Sequence, residues 1–244
     1  MLRNVFRILA LTSLTILLIV GLAACGSDTD SSIEEETEEE FFVRATAVVT
    51  TTPPPTHVLQ TEECELVRGV SCPGVDISGM DLGGIGPSWQ REGQDGVDLR
   101  GADLTGIIAV DTNLAEVRLE KAILRGGNFT GANLEGARLD EAVFHDANLE
   151  NAHMEDASLY QADFTGANLT NVVLLFADME ESIFDGANLT NANLGSAVLN
   201  SANFRNANLT GADLTSADLE GADLEGTIFC NTIMTDGEEN NSGC

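Results

Sequence analysis

FHDANLE at residues 144–150 returns as FTGANLT at 164–170, as FDGANLT at 184–190 and as FRNANLT at 204–210. The interval is twenty residues, and a shorter period of five runs inside it. Leu, Phe or Met occupies 27 of 28 consecutive fifth positions, and Ala fills 19 of the 28 places two residues earlier. The residue between them is Asp or Asn in 16 of the 28 pentads. One repeat, A-(D/N)-(L/F)-x-x, therefore runs in unbroken register through residues 97–236.

This period predicts a coil with flat sides. A period of five residues excludes an α-helix, whose period is 3.6, and an ordinary strand, whose period is 2. Within a pentad the Ala and the large residue are two apart, so a short extended stretch points both inward. The next two residues are rich in Gly, Asn, Asp, Ser and Thr, which favour corners. The twenty-residue superperiod then predicts four sides per coil and about seven coils. It also predicts an interior ladder of Phe144, Phe164, Phe184 and Phe204.

With this repeat the chain resembles the pentapeptide-repeat family. The resemblance implies an all-β fold, a right-handed quadrilateral β-helix (solenoid), over residues 97–236. We expect residues 58–96 to form an N-terminal cap and residues 237–244 a C-terminal cap tail. Two weaker pentads, 75–77 and 80–82, lie in the N-terminal cap. The interval of 17 positions from the last weak centre, Leu82, to the first strong one, Leu99, predicts a two-residue insertion.

The first residues are predicted to form an export signal. Arg3 and Arg7 precede an uncharged, mostly apolar stretch at residues 8–22, an order typical of a secretory signal. A transmembrane helix would need about 20 apolar residues. The word Leu-Ala-Ala-Cys that ends at Cys25 resembles the lipobox of bacterial lipoproteins. This resemblance implies that residues 1–24 are a lipoprotein signal peptide and that Cys25 carries a lipid. An uncleaved anchor helix, or a signal cleaved elsewhere, is the alternative.

Residues 25–57 are predicted to form a disordered tether. Eight acidic residues lie within 27–40, and a Thr- and Pro-rich segment follows at 46–56. Dense like charge keeps a segment solvated, and Pro-rich sequence favours an extended conformation. We therefore expect a lipid-anchored protein on the extracytoplasmic side of a bacterial membrane, in the periplasm or at the cell surface.

Four further cysteines are candidates for disulfide bonds. Outside the cytoplasm four cysteines favour two bridges, although three pairings are possible. One pairing joins neighbours at each end of the coil, where exposed strand edges need cover. Free thiols or a metal site are the alternative, but the spacing is poor for zinc. The expected pairs are Cys64 with Cys72 and Cys230 with Cys244.

Charge and motif content exclude several classes of function. The chain has 40 Asp plus Glu against 11 Lys plus Arg, a net charge of −29. Nucleic-acid binding depends on clustered Lys and Arg, so we expect no nucleic acid as partner. His145 and His153 lie in different columns of the repeat, without a second ligand or an acid in register. We therefore predict that the protein is not an enzyme and has no catalytic residue, metal, cofactor or small-molecule substrate.

The sequence favours a non-catalytic spacer or protein-interaction scaffold, whose protein partner it does not name. One alternative follows from the family, because some pentapeptide-repeat proteins mimic DNA and act on DNA gyrase. Residues 139–236 hold 17 acids and one base, Arg205, but the export signal disfavours that role. The second alternative is a flat-face binder such as an ice-binding protein. It rests on an outward Asn column (128, 148, 168, 188, 208) beside a Thr column (130, 170, 190, 210).

One pentad is apolar at all five places, Val172 to Phe176. The register places Val173, Leu175 and Phe176 outside, where Gly195 of the next coil leaves room. An apolar cluster on a charged surface usually marks a contact. These three residues are the candidate docking or self-association patch. A local bulge in which Phe176 covers Leu175 is the alternative.

Overall fold

Five-residue sides, each ending in a tight corner, build the solenoid seen in the computed structural model. The structure describes residues 43–45, 64–66, 68–83 and 97–244. The chain divides into two units, and all of these residues belong to the second, residues 40–244. The first unit, the signal peptide, Cys25 and most of the tether lie outside the described residues.

Each corner has the geometry of a type II turn. After Phe144, the amide of Ala147 donates to the carbonyl of Phe144 at 3.0 Å, and Asp146 between them has a φ of 56°. A four-residue turn with positive φ at its third residue is type II. Gly, Asp, Asn and other polar residues fill this left-handed position at nearly every corner. The composition of the repeat therefore sets where the chain turns.

The predicted four-sided coil is confirmed by the pairing between coils. Parallel bridges join residues twenty apart, from Asp98 with Arg118 to Asp213 with Ile233. The amide of Asn168, for example, donates to the carbonyl of Ala147 at 2.9 Å. We number the four faces by central residues in chain order: face 1 (Leu159, Met179), face 2 (Phe164, Phe184), face 3 (Leu169, Leu189) and face 4 (Leu174, Leu194).

Small and large side chains alternate in the buried interior. On face 2, Phe144, Phe164, Phe184 and Phe204 stack with centroid separations of 4.9, 5.1 and 4.8 Å and interplanar angles of 9° or less. These separations match the spacing of neighbouring strands. Every ring is fully buried.

Phe129 on face 3 compensates for the one small centre of the repeat. It lies one coil after Ala109 and meets Phe144 edge-on, with ring centroids 5.6 Å apart. A Cβ atom on Gly127 would stand 2.6 Å from Cε2 of Phe129. Gly127 and Ala109 therefore give up the volume that the extra ring fills.

The solenoid starts earlier than the sequence predicts. Ser71 bridges Asp103 and Asp81 bridges Asn113, so this part of the chain lies 32 residues before its partner instead of twenty. Three sides of a coil are present there, and the side at 70–72 was missed because Cys72 replaces the usual Leu or Phe. The predicted two-residue insertion is wrong, because twelve extra residues separate this partial coil from the next. A five-residue period cannot distinguish an insertion of two from one of twelve.

Short antiparallel strand pairs lie near both ends of the solenoid. β1 (Val43–Ala45) pairs with β2 (Cys64–Leu66), and β3 (Thr232–Ile233) pairs with β4 (Glu239–Asn240). The tether was predicted to be disordered through residue 57, and β1 corrects this for three residues. Val favours strands, and pairing with β2 satisfies its backbone. Within the described ranges, no helix is long and apolar enough to cross a membrane.

A disulfide joins Cys230 to Cys244, with 4.9 Å between their Cα atoms. It ties the last residue of the chain to the final coil. The amide of Gly243 also donates to the carbonyl of Phe229 at 2.7 Å. Cys72 is disulfide-bonded too. The side chain of Cys64 lies outside the described residues, so the pairing of Cys64 with Cys72 stays a prediction.

Candidate functional site

The two histidines of the repeat each face an acid. Nε2 of His145 lies 2.5 Å from Oδ2 of Asp163, with both side chains about three-quarters buried. Nδ1 of His153 lies 3.3 Å from Oε1 of Glu155. No acid stacks directly above or below either histidine, but a side chain also reaches diagonally, and each ring contacts an acid two positions off its column. Asp163 stands one coil later and two residues before the residue stacked on His145.

Asp163 is held ionised by its neighbours. Burial alone would raise the pKa of its carboxyl group, but hydrogen bonds from Thr165 and His145 outweigh burial and lower this pKa below its usual value. The Thr165 hydroxyl donates to Oδ1 of Asp163 at 2.6 Å. The contact between His145 and Asp163 therefore joins two coils. Among the described residues, no three His, Cys, Asp or Glu side chains come together as a metal site would require.

Face 3 carries a hydrogen-bonded Asn ladder. Nδ2 of Asn168 donates to Oδ1 of Asn148 at 2.9 Å, and Nδ2 of Asn188 donates to Oγ1 of Thr170 at 2.9 Å. Thr hydroxyls of the neighbouring column each donate at 2.6 Å to the Asn two residues earlier. The polar groups of the Asn and Thr columns thus bind one another. This arrangement explains the columns structurally and offers no support for the ice-binding alternative.

Phe176 is the outlier of the surface. Its side chain is 61% exposed and its φ is 59°. Of the 17 described residues other than Gly that have a positive φ, Phe176 is the only apolar one. A side chain in the left-handed region costs roughly 1–2 kcal/mol, and a bulky residue there is rare. Conformational cost and aromatic exposure therefore coincide at one position.

The corner at Phe176 is regular. The amide of Ala177 donates to the carbonyl of Leu174 at 3.2 Å, and the amide of Phe176 donates to the carbonyl of Gly195 at 3.2 Å. The bulge weighed from the sequence is absent from this corner. Leu175 instead leans onto the next coil, where its Cδ2 lies 2.9 Å from the place a Cβ of Gly195 would take. Val173 and Leu175 are half-buried, so Phe176 is the exposed member of the patch.

Beyond this corner the chain enters face 1, which is acidic in its last four coils. Residues 156–161, 176–181, 196–201 and 216–221 form this surface and contain no Lys or Arg. We call it the face 1 acidic surface. It holds six carboxylates, at Asp156, Asp178, Glu180, Glu181, Asp218 and Glu220. Two apolar side chains, Val198 and Tyr160, are each 37% exposed within it.

Charge is arranged differently in the earlier coils of the same face. There Nη2 of Arg100 lies 2.6 Å from Oδ2 of Asp98, and Nζ of Lys121 lies 3.3 Å from Oε1 of Glu141. No ion pair within the described part of the chain includes any of the six carboxylates of the face 1 acidic surface. Face 1 therefore changes along the axis from paired charges to unpaired negative charge.

Comparisons with known proteins agree with this architecture. The family profile described as pentapeptide repeats matches eight copies, over residues 95–131, 128–166, 137–174, 157–195 and 197–236. A comparison with curated proteins gave no match.

Solved structures that match this chain come from several sources. QnrB1, a plasmid-mediated fluoroquinolone resistance protein, is 18% identical in a trypsin-treated form, with a TM-score of 0.55, over 65% of this chain and 73% of its own. HetL, a pentapeptide-repeat protein involved in heterocyst differentiation regulation in the cyanobacterium Nostoc sp. strain PCC 7120, is 24% identical over 71% of this chain and 92% of its own, with a TM-score of 0.25. Rfr23 from the cyanobacterium Cyanothece 51142 is 26% identical over 68% of this chain and 88% of its own, with a TM-score of 0.31.

The similarity to QnrB1 concerns the fold alone, because the identity is low. It does not bring the role of that protein to this chain. The family assignment rests on the profile, whose matches span more than half of the chain, and on the parallel four-sided coils. The chain belongs to the pentapeptide-repeat family and has the right-handed β-helix of that family.

Proposed function

We propose that this protein is a non-catalytic interaction scaffold that docks a partner protein at the patch formed by Val173, Leu175 and Phe176. The observation that carries the proposal is the exposed Phe176 in a left-handed conformation. Strained residues that persist tend to cluster at functional positions. The stacked residues of the same column, Ser196 and Ser216, show that the fold itself accepts a small polar residue there.

The cellular address in this proposal comes from the sequence. Residues 1–24 act as the signal peptide, and a lipid on Cys25 holds the protein on the extracytoplasmic side of a bacterial membrane. In this proposal the acidic segment between Cys25 and the solenoid serves as the spacer.

The docking role is tested with the double variant Phe176→Asp and Leu175→Thr. We expect the variant to lose its partners in a pull-down from membranes, or to change its association state in sedimentation. The matched control is Ile228→Asp, which places the same charge at another exposed apolar position, 42% exposed on face 3. Unchanged partners and an unchanged association state, in a variant with an unaltered circular dichroism spectrum, would refute the docking role.

The address is tested by metabolic labelling with a clickable fatty acid. We expect the label on the unaltered protein and its loss from the Cys25→Ala variant, together with release from the membrane fraction. Labelling that persists in the variant would contradict the lipobox assignment. That result would leave the docking test unaffected, since the patch lies in the solenoid.

A further inference from the structure

We propose that Phe176 and the face 1 acidic surface form one docking surface, and that its occupant is a cationic polypeptide segment carrying an apolar side chain. This inference rests on the proposed docking function and adds the chemistry of the partner. Neither the pentad pattern nor the family assignment requires an aromatic residue or unpaired acids at this place.

Apolar side chains lie on both sides of the corner. Phe176 ends face 4, and Asp178 two residues later stands on face 1. Val198 bridges Asp178 from the next coil, so about one strand spacing separates their main chains. Tyr160 lies one coil before Glu180 on the same face. The exposed ring of Phe176 therefore stands at the edge of a face that carries two more exposed apolar side chains.

The carboxylates surround these apolar groups without internal counter-charge. The six acids make no ion pair with the described Lys and Arg residues. The negative charge of this surface also affects Tyr160. Partial desolvation raises the pKa of its hydroxyl group, and the charges of Glu181, Glu180 and Glu141 raise this pKa further. Like charges concentrated on one face repel one another, and a cationic partner would relieve that repulsion.

Charge also decides between occupants. A second copy of this chain carries the same net charge of −29, and a two-fold contact through face 1 would set acid against acid. Nucleic acid and an anionic lipid surface are repelled for the same reason. An uncharged apolar segment would cover Phe176 but leave the acids unpaired. A segment with Lys or Arg beside an apolar anchor matches both parts of the surface.

The test measures binding of two labelled synthetic peptides of equal charge to the full chain purified in detergent. One peptide alternates Lys with Leu and the other alternates Lys with Ser. We expect the Lys/Leu peptide to bind more tightly. The variant Phe176→Ser should reduce the affinity for that peptide about tenfold, as loss of an anchoring side chain does. The same variant should change the affinity for the Lys/Ser peptide by less than about twofold.

A pair of charge variants separates the surface from general electrostatics. The triple variant Asp178→Asn, Glu180→Gln and Glu181→Gln should reduce the affinity for both peptides about tenfold. The control triple Asp146→Asn, Asp185→Asn and Asp213→Asn removes the same charge from faces 2 and 4 and should change binding by less than about twofold.

Equal loss in the two triples would overturn the proposal, because binding would then follow net charge alone. Equal loss of the two peptides on Phe176→Ser would overturn it as well. If the membrane pull-down finds a partner that depends on Phe176 and tolerates the face 1 triple, the docking function stands and the cationic partner is refuted. If the pull-down finds no partner while the peptides discriminate as expected, the docking function fails and the surface chemistry is upheld.

Discussion

At the scale of the residue, the left-handed corner position governs what the surface can display. Every corner requires a positive φ, which Gly adopts without strain and which Asn and Asp tolerate through local hydrogen bonds. The repeat meets this need with Gly or polar residues, and Phe176 is the exception. The requirement for a positive φ therefore makes the corners of the solenoid polar, with Phe176 as the one aromatic exception.

We predict that Phe176→Asn stabilises the solenoid by about 1 kcal/mol, because Asn adopts the left-handed region at lower cost. The converse variant, Gly186→Ala, should destabilise it by about 1 kcal/mol. A Cβ on Gly186 would meet no atom within 4 Å, so that change tests the backbone alone. Urea unfolding measures both. Destabilisation by Phe176→Asn would show that the ring is packed rather than exposed.

The pair of Asp163 and His145 predicts a pH dependence. Because the pKa of Asp163 is lowered on folding, its stabilising contribution is full above its unfolded pKa of about 3.9 and is lost as the pH falls through the folded value. Asp163→Asn should therefore cost about 1–2 kcal/mol at pH 7, and this difference should shrink below about pH 4. Denaturant unfolding at several pH values measures it.

The control for this prediction is Asp146→Asn, which neutralises an exposed acid at the corner after Phe144. It should have a smaller effect at pH 7. A cost of Asp163→Asn that stays constant from pH 7 to pH 3 would contradict the role given to the carboxylate.

At the scale of the element, stability depends on ladders that run along the axis. The Phe ladder of face 2 is internal, and the Asn ladder of face 3 is external and hydrogen-bonded. Each inner member contacts the coil before and the coil after it. The cost of a substitution should therefore depend on the place of the residue in its ladder.

Phe164 lies between two stacked rings and should be the sensitive position. We predict that Phe164→Ala costs about 3–5 kcal/mol, since a fully buried ring is replaced by a cavity. Phe164→Leu should cost only about 1 kcal/mol, because Leu is the residue of the same column at 124 and 224. Urea midpoints compare the two variants. Equal costs would mean that ring stacking, and not volume, sets the stability of this column.

The sequence predicts the sides, corners and faces because each follows from a period that can be counted. It does not predict the length of the insertion before residue 97. An insertion longer by one or more complete five-residue sides leaves the same five-residue register. It also misses the contact of His145 with Asp163, which is diagonal and depends on how far the side chains reach. The exposure of Phe176 was expected, but its positive φ could be recognised only once the corner geometry was known.

At the scale of the whole molecule, negative charge dominates. With a net charge of −29, the acidic groups repel one another, and the six carboxylates of the face 1 acidic surface form no ion pair with the Lys and Arg residues that the structure describes. Such repulsion destabilises a compact state and is screened by salt over about 10 Å at 0.1 M. The stability of the solenoid is therefore tied to the ionic strength around it.

We predict that the urea midpoint rises between 10 and 200 mM NaCl, equivalent to about 1 kcal/mol of added stability. The triple variant Asp178→Asn, Glu180→Gln and Glu181→Gln should show a smaller rise, because it removes part of the repulsion. A midpoint that is insensitive to salt would indicate that the carboxylates do not interact across the coils.

The parallel pairing of residues twenty apart also gives the solenoid a mechanical character. When the ends of the chain are pulled, the terminal coil can peel away while the coils beneath it keep all their own bonds. Each release frees twenty residues, which extend by about 70 Å. A single-molecule force trace should therefore show steps of that length. The loop closed by Cys230 and Cys244 would stay hidden from the force until the bond is reduced. A scaffold built this way would yield under load in equal increments instead of failing at once.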